Sequence, residues 1–402
     1  MSLPNMINSG ESVLLIPEGI LDLKENRILK GKALAVREGE ISALLSLEQV
    51  PVWAKQHQGE IISLAGLTLM PGLVDCHVHF ALDSVDFKQC LARWPDQNLI
   101  EQQTLKFGRH LLQKGILAVR DGGDLEGIGL EAKRRLRPGL LVKATGHALR
   151  RKGLYGTFLG GGVDTAEEGK KQIRELAASG VDQIKIVVSG IVSFSQYEKV
   201  GPLHFSLAEL QELVEESHTL GLKVMAHVNS VEGVARAVDA GVDSVEHGYF
   251  ISDTSLELME KKGIAWVPTI IPVAAQTREP CAKAHDWEGL HVIEKTYLRH
   301  MTQVKKAASL GVPLGVGTDA GAIGAPHGSS YYEEIALYHA AGLSHTEILK
   351  AAIFTGAKII GLDPNWGRME PGSPAYLIAV QGNPLQDLSS LKRVERIVIP
   401  AS

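Results

Sequence analysis

Residues 70–79 read MPGLVDCHVH, a Pro-Gly turn followed by an apolar run that contains two histidines near its end. The run Leu73–Val78 has the length and side-chain bulk of a buried strand. His77 and His79 are two residues apart, so on a strand both imidazoles project from the same face. The stretch therefore predicts a buried strand with two polar side chains at its carboxyl end.

Further apolar runs follow this strand, and longer helical segments separate them. Capping-box patterns at Thr165/Glu168, Ser206/Glu209 and Ser344/Glu347 predict helix starts, and glycines 180, 221, 241 and 311 predict helix ends. Eight βα units with no other strands between them predict an α/β chain folded as a (β/α)8 TIM-type barrel. The eight runs are Leu73–Val78, Ala118–Asp121, Leu141–Thr145, Gln183–Val188, Lys223–Val228, Ser244–His247, Ala265–Thr269 and Leu314–Thr318.

Both ends of the chain read as short strands rather than as βα units. Strand patterns occupy residues 12–69, with a hairpin around Glu38-Gly39-Glu40, and return in residues 368–400. We expect the two ends to pack together in one small side domain. The predicted domains are residues 1–69 plus 361–402 for the side domain and residues 70–360 for the barrel.

Composition excludes several classes of protein. The 402 residues are 45% hydrophobic and 22% charged, which is ordinary for a globular enzyme, and the net charge of −5 offers no basic excess for nucleic acid or anionic membranes. The three cysteines are too few and too scattered for a disulfide framework. With no signal-peptide pattern at the N-terminus, we expect a cytoplasmic protein that acts on a small molecule. Assembly into a homo-oligomer stays open.

Four more reactive side chains stand at the ends of other predicted strands: Lys185, His227, His247 and Asp319. A lone histidine at such a position is as often a hydrogen-bonded structural residue as a ligand, and a lone Lys or Asp usually faces solvent. Barrel enzymes, however, keep their reactive groups at the carboxyl ends of the strands. Convergence of all these groups with the histidine pair therefore predicts a functional site at the barrel mouth.

The residue types in this set indicate a metal site. Imidazoles with one carboxylate suit borderline divalent ions such as Zn²⁺, whereas Ca²⁺ prefers oxygen ligands. A desolvated Lys185 has a lowered pKa and becomes a nucleophilic amine that can take up CO₂. The carbamate formed by this N-carboxylation can bridge two metals roughly 3.5–4 Å apart. We therefore predict two divalent ions, with Zn²⁺ as the expected metal.

These residues resemble the amidohydrolase superfamily, in particular its branch of imidazolonepropionase-related and Xaa-Pro dipeptidase (prolidase)-like enzymes. The resemblance implies a barrel with a β-sandwich side domain and a carboxylated Lys185 that bridges two metals. It also implies that His77, His79 and Asp319 hold the more buried ion, with His227 and His247 on the other. The motifs are MPGLVD (70–75), HVH (77–79), GILAVRD (115–121), Lys185, His227, EHG (246–248), Pro268-Thr269, GVGTDAG (315–321) and EPG (370–372).

The expected reaction is hydrolysis of an amide or peptide bond by a metal-bridging hydroxide, with Asp319 as the catalytic residue that carries a proton to the leaving nitrogen. An esterase, lactonase or phosphotriesterase is the alternative, because the same hydroxide attacks those groups. A deaminase is less favoured, since such relatives commonly carry an acid where this chain has Ser230. A non-catalytic scaffold is also less favoured, because the candidate ligands are all kept.

One loop departs from the family pattern and bears on the substrate. Where many relatives read Gly-Gly-His-Gly after the third strand, residues 147–156 read HALRRKGLYG. We predict that His147, Arg150 and Tyr155 bind the substrate, with the Arg150 guanidinium clamping a carboxylate. The expected substrate is a dipeptide or N-acyl amino acid. The alternative is that the three cations of this loop form an ordinary solvated surface.

Overall fold

The computed structural model describes residues 5–8, 12–57 and 59–400, so most of the polar N-terminal segment lies outside the described residues. The strands are β1 (Met6–Asn8), β2 (Val13–Asp22), β3 (Arg27–Leu29), β4 (Lys32–Arg37), β5 (Glu40–Ser46), β6 (Glu60–Pro71), β7 (Leu73–Val78), β8 (Ile116–Asp121), β9 (Leu141–Ala144), β10 (Gln183–Val187), β11 (Lys223–Val228), β12 (Ser244–His247), β13 (Ala265–Val267), β14 (Leu377–Gln381) and β15 (Val394–Ile399).

The helices are α1 (Val50–His57), α2 (Phe87–Arg93), α3 (Gln97–Gln113), α4 (Ile128–Arg135), α5 (Ala166–Ser179), α6 (Leu207–Thr219), α7 (Val231–Ala240), α8 (Asp253–Lys262), α9 (Ile271–Ala274), α10 (Trp287–Leu310), α11 (Ser329–Ala340), α12 (His345–Lys350) and α13 (Gly356–Ile360). In the described part of the chain, no helix is both long enough and apolar enough to cross a membrane.

Seven of the eight predicted βα strands are present, and the chain is an α/β protein. They form two parallel sheets, β7-β8-β9 and β10-β11-β12-β13. Isolated parallel bridges join the sheets on both sides, from Leu149 to Ile186 and from Trp266 to Leu314, and Val78 bridges Ala320. All these strands therefore point the same way, and their carboxyl ends lie at one edge.

The prediction of a regular eighth strand at Leu314–Thr318 was wrong. The segment does follow its neighbours, since Gly315 N–H donates to the Trp266 carbonyl and Cys76 N–H donates to the Val316 carbonyl, at 2.9 and 2.8 Å. Its bridges are isolated, however, and do not form a continuous ladder. Two of its residues are glycines, which weaken strand interiors and mark close backbone approach.

The predicted helix starts are confirmed, and so are three of the four predicted ends, because helix α6 is capped by Leu220, one residue before Gly221. Ser206 and Ser344 form complete capping boxes with Glu209 and Glu347. Thr165 also caps its helix, but the Glu168 carboxylate accepts from the N–H of residue 164 and leaves the box half formed. Glycines 180, 241 and 311 end helices in the left-handed conformation.

Strands from both ends of the chain meet in one eight-stranded sheet. Its order is β1-β15-β14-β6-β2-β4-β5, with β3 paired to β2. The C-terminal strand β14 is antiparallel to β6, with Leu377 opposite Pro71. The predicted hairpin is confirmed, because β4 and β5 are antiparallel on either side of Gly39. Pairing of the two ends anchors the start of β7, which leads directly into the histidine pair.

The glycine-rich segment next to β7 leads to a stability prediction. A Cβ added at Gly317 would lie 2.3 Å from Val267 Cγ1 and 3.1 Å from His77 Cβ. Gly317→Ala should therefore lower the free energy of unfolding by ~1–3 kcal/mol through overpacking. Thermal unfolding of the metal-free protein measures this. Gly161→Ala is the matched control, because its Cβ meets nothing within 4 Å, and equal melting temperatures for the two variants would contradict the prediction.

Candidate metal centre and active-site cavity

The candidate ligands predicted from the sequence meet at the carboxyl edge of the parallel strands. His77 and His79 stand at the end of β7, and Lys185 lies in β10. The Lys185 Nζ lies 3.2 Å from His77 Nε2 and 3.3 Å from His79 Nε2. Asp319 Oδ1 lies 3.5 Å from His77 Nε2 and 3.4 Å from His79 Nε2. Four side chains thus converge on one small volume.

The other two predicted ligands lie beside this group. His227 in β11 and His247 at the end of β12 have ring centroids 4.5 Å apart, and the His247 ring lies 5.1 Å from that of His77. Both histidines are at most 5% exposed. All six predicted ligands therefore lie in one cluster, in which Asp319 is partly exposed and the other five are buried.

The donor chemistry of the cluster fits a divalent metal. His77, His79 and Asp319 offer donor atoms that all lie within 4.8 Å of one another. Burial holds the pKa values of the four imidazoles well below the usual range, so their nitrogens are neutral and carry lone pairs. Burial also lowers the pKa of Lys185 to about 8 and raises the pKa of Asp319 to about 7. Neutral imidazoles with a carboxylate are the donors that Zn²⁺ prefers.

Hydrogen bonds behind the cluster orient the imidazoles. His77 Nδ1 lies 2.9 Å from Glu246 Oε2, and His79 Nδ1 lies 3.0 Å from the Gly123 carbonyl. Because both partners are acceptors, Nδ1 carries the proton in each ring and Nε2 presents its lone pair to the centre. His247 Nδ1 is held by Thr269 Oγ1 at 2.7 Å.

Arg120 and Glu246 form a buried ion pair beneath the cluster, with an N–O distance of 2.7 Å and side chains at most 1% exposed. Arg120 also donates to the Cys76 carbonyl at 2.7 Å and to Gln183 Oε1 at 2.9 Å. Ser244 Oγ donates to Glu246 at 2.5 Å. Sequence reasoning assigned neither charged residue to the site, although a charge inside an otherwise apolar strand was an available signal.

Backbone strain also concentrates here. His247, Thr269 and Asp319 have φ values of 65°, 48° and 51°, in the left-handed region that non-glycine residues seldom adopt. His247 ends β12, Thr269 lies two residues beyond β13, and Asp319 follows the irregular segment 314–318. Such conformations cost of order 1–3 kcal/mol and cluster at functional sites.

The three predicted substrate residues have separate positions. Tyr155 lines the cavity and stacks on His227, with centroids 5.4 Å apart. His147 is not among the lining residues. Arg150 also lies outside the lining, and its guanidinium donates to the carbonyls of residues 151, 154, 160 and 161. Arg150 thus orders its own loop, and this arrangement leaves the predicted carboxylate clamp without support.

A cavity of about 560 Å³ opens above the cluster, which forms its floor. Its floor contains His79, Lys185, His227, His247 and Asp319. Most of the remaining lining is aliphatic or aromatic. A concave apolar pocket with a few convergent polar groups is the usual form of an active site.

Comparison with known proteins agrees with this geometry. Residues 68–399 match the amidohydrolase family. The chain belongs to this family. It is accordingly a hydrolytic enzyme that acts on carbon–nitrogen bonds, and the resemblance drawn from its motifs is confirmed.

Individual relatives span almost the whole chain. An ochratoxinase from Aspergillus niger is 28% identical over 94% of this chain and 82% of its own length. An imidazolonepropionase from Chromobacterium violaceum is 25% identical over 87% of this chain and 85% of its own. The crystal structure of a Xaa-Pro dipeptidase with bound methionine superposes with a TM-score of 0.77 and 25% identity, covering 96% of this chain and 97% of that one.

The Glu246–His77 hydrogen bond yields a prediction about metal affinity. Glu246→Gln removes the carboxylate that fixes the His77 tautomer, so divalent-ion affinity should fall roughly 10–100-fold. Titration of metal-free protein with Zn²⁺ measures this, and circular dichroism checks that the fold is kept. Glu216→Gln, at an ion pair with Arg174 far along helix α6, is the control that should bind like wild type. Unchanged affinity in Glu246→Gln would remove Glu246 from this role.

Proposed function

We propose that this amidohydrolase cleaves an amide or peptide bond of a small molecule at a centre of two divalent ions, with Zn²⁺ as the expected metal. The observation that carries the proposal is that reactive side chains from five separate segments of the chain meet in one largely buried cluster at the cavity floor. Burial of so many titratable groups at one point costs free energy, and such clusters are typical of functional sites. The proposed ligands are His77, His79, Lys185, His227, His247 and Asp319.

Lys185 is proposed to act as a carboxylated ligand. Its amine lies within 3.3 Å of two imidazole nitrogens, and an ammonium at that point would repel a divalent cation. In the proposed modification the Nζ lone pair attacks the carbon of CO₂, an N–C bond forms and one proton is released. The product is an anionic ligand with two oxygens.

Asp319 is proposed as the proton carrier. Divalent ions bound here would polarise the scissile carbonyl and lower the pKa of water. Asp319 belongs to the candidate metal cluster and also lines the cavity. Its carboxylate can therefore contact both a water molecule at the cluster and a substrate in the cavity. It would accept a proton from the attacking water and deliver it to the leaving nitrogen as the C–N bond breaks. The products are a carboxylic acid and an amine.

We also propose that the two parallel sheets belong to one (β/α)8 barrel over residues 70–360. The bridges at Leu149, Leu314 and Ala320 support this arrangement, because they join the sheets on both sides. Residues 1–69 and 361–402 would form the β-sandwich side domain. The eight-stranded sheet supports this, since it takes strands from both ends.

Elemental analysis tests the metal content. A protein loaded with Zn²⁺ and bicarbonate should hold about two ions per chain, because the six ligands cannot all surround one tetrahedral ion with a position left for water. Lys185→Ala should lose most bound metal and activity, and a small carboxylate should restore part of both. Wild-type protein that binds no metal, or a Lys185→Ala variant with full metal and turnover, would contradict the proposal.

Asp319→Asn tests the proton carrier. Loss of this proton transfer should lower kcat by ~10²–10⁴-fold, measured on the best substrate from a panel of dipeptides, N-acyl amino acids, anilides, esters and lactones. Asp83→Asn is the matched control, since Asp83 also lines the cavity but lies outside the cluster. Near-normal turnover in Asp319→Asn would make Asp319 a structural residue. Cleavage of esters or lactones alone would favour the alternative hydrolase.

A further inference from the structure

The wall of the cavity above the floor is built from aromatic rings that contact one another in a row. Tyr155 stacks on His227, Phe158 meets Tyr155 edge-on at 6.0 Å, and Phe87 meets Phe158 edge-on at 4.9 Å. All four residues line the cavity. This aromatic wall, Tyr155, Phe158 and Phe87, leads from the candidate metal centre outward. Apart from the Tyr155 hydroxyl, it offers ring faces and edges to whatever enters.

The mouth of the cavity exposes apolar side chains to solvent. Val85 is 77% exposed, Ile191 52%, Ile323 47% and Phe87 38%, and all four line the cavity. Single exposed apolar residues are ordinary on a protein surface, but a group at the rim of one cavity marks a binding groove. Because it continues the aromatic wall, most of the path from solvent to the floor is apolar, although the lining also includes Asp83, Thr157, Asn229 and Gln276.

The cavity above the floor has no free cationic side chain that could pair with a substrate carboxylate, among the described lining residues. Among the described lining residues, Lys185 on the floor is the sole Lys or Arg. Asp83 is the one acidic residue of the described lining above the floor, and Arg93 pairs with it. Burial of a carboxylate against this wall would therefore leave the charge without a cationic partner, which is unfavourable.

The three cations of the loop after β9, Arg150, Arg151 and Lys152, are also bound to groups within the protein. Arg150 is bound by four carbonyls of its loop, Arg151 pairs with Glu209 at 2.5 Å, and Lys152 pairs with Asp164 at 3.2 Å. None of the three lines the cavity. The positive charge that suggested an anionic substrate in the sequence is thus used within the protein.

We infer that the substrate is an uncharged amide with an aromatic or comparably bulky apolar group, which lies along the aromatic wall while the amide meets the floor. The inference rests on the proposed amide hydrolysis and names the substrate class of that site. It replaces the carboxylate-bearing dipeptide or N-acyl amino acid expected from the sequence. Selectivity then comes from burial of apolar surface at the wall and from the cost of desolvating a charge there.

The test compares two ligands that differ by one carboxylate: N-phenyl-2-phenylacetamide and 4-(2-phenylacetamido)benzoate. Because a carboxylate can itself ligate a bound ion, affinities are measured by calorimetry on the metal-free chain. The neutral amide should bind at least tenfold more tightly than the acid. Equal or tighter binding of the acid, or no saturable binding of the neutral amide, would overturn the inference.

Variants connect this preference to the wall. Phe158→Ala should weaken binding of the neutral amide about tenfold, since an aromatic contact and its buried area are lost. Phe354→Ala is the matched control, because Phe354 is also partly buried but does not line the cavity. Equal losses in the two variants would mean that the amide does not contact the wall, and would overturn the inference.

A second variant test adds a positive charge at the cavity mouth, to shift the ligand preference from the neutral amide toward the acid. Ile191→Arg places a guanidinium at the exposed mouth and should improve binding of the acid several-fold, whereas Ile191→Gln should not. Improvement in both variants would show that loss of the apolar side chain, not charge, controls selectivity, and would count against the inference. Turnover by the metal-loaded enzyme is recorded separately. Tight binding of the neutral amide without cleavage would contradict the proposed hydrolysis and leave the apolar preference standing.

Discussion

The fully buried Glu246 carboxylate is the group on which the candidate centre and the strands beneath it both depend. One oxygen accepts from Arg120 and Ser244, and the other accepts from His77. A carboxylate with no exposure is tolerable only when every lone pair is satisfied by charge or hydrogen bonds. Arg120, in β8, also donates to the Cys76 carbonyl in β7 and to Gln183 in β10. Any shift of β12 would therefore move the imidazole at the end of β7.

The floor and the wall of the cavity are built in different ways. The floor is fixed by hydrogen bonds between strands and by strained backbone at His247, Thr269 and Asp319, which the surrounding structure must hold in place. The wall belongs instead to the segments after the strands, including the loop with Tyr155 and Phe158 and the hydrophobic residues near Phe87. Barrel enzymes commonly vary their substrates through such loops, but here Tyr155 of the loop also stacks on His227 of the floor.

Several strands could be predicted from the sequence, and the strand that was predicted wrongly has a physical explanation. Strands β7, β11 and β12 have the predicted bounds, because short apolar runs bordered by turn residues are strong local signals. The eighth strand was predicted from the same kind of run, yet close approach at Gly315 and Gly317 interrupts its ladder. The six candidate ligands could be proposed because reactive side chains recur in or just after the apolar runs at His77, His79, Lys185, His227, His247 and Asp319.

Long-range pairing was the part that sequence alone could not supply. Arg150 looked available for a substrate because nothing in its own segment reveals that the loop folds back and presents carbonyls at residues 160 and 161. Glu246 and Arg120 lie 126 residues apart in the chain, so their pairing had no local signature. The aromatic wall likewise joins Phe87 and Phe158 from distant segments.

Diffraction at the zinc absorption edge from crystals of the Zn²⁺- and bicarbonate-loaded protein tests the central claim most directly. The account predicts two anomalous peaks among His77, His79, Lys185, His227, His247 and Asp319, with density for a carboxylate added to the Lys185 amine. A fully loaded crystal with no anomalous peak at this floor, or with a single peak beside an unmodified Lys185, would contradict it.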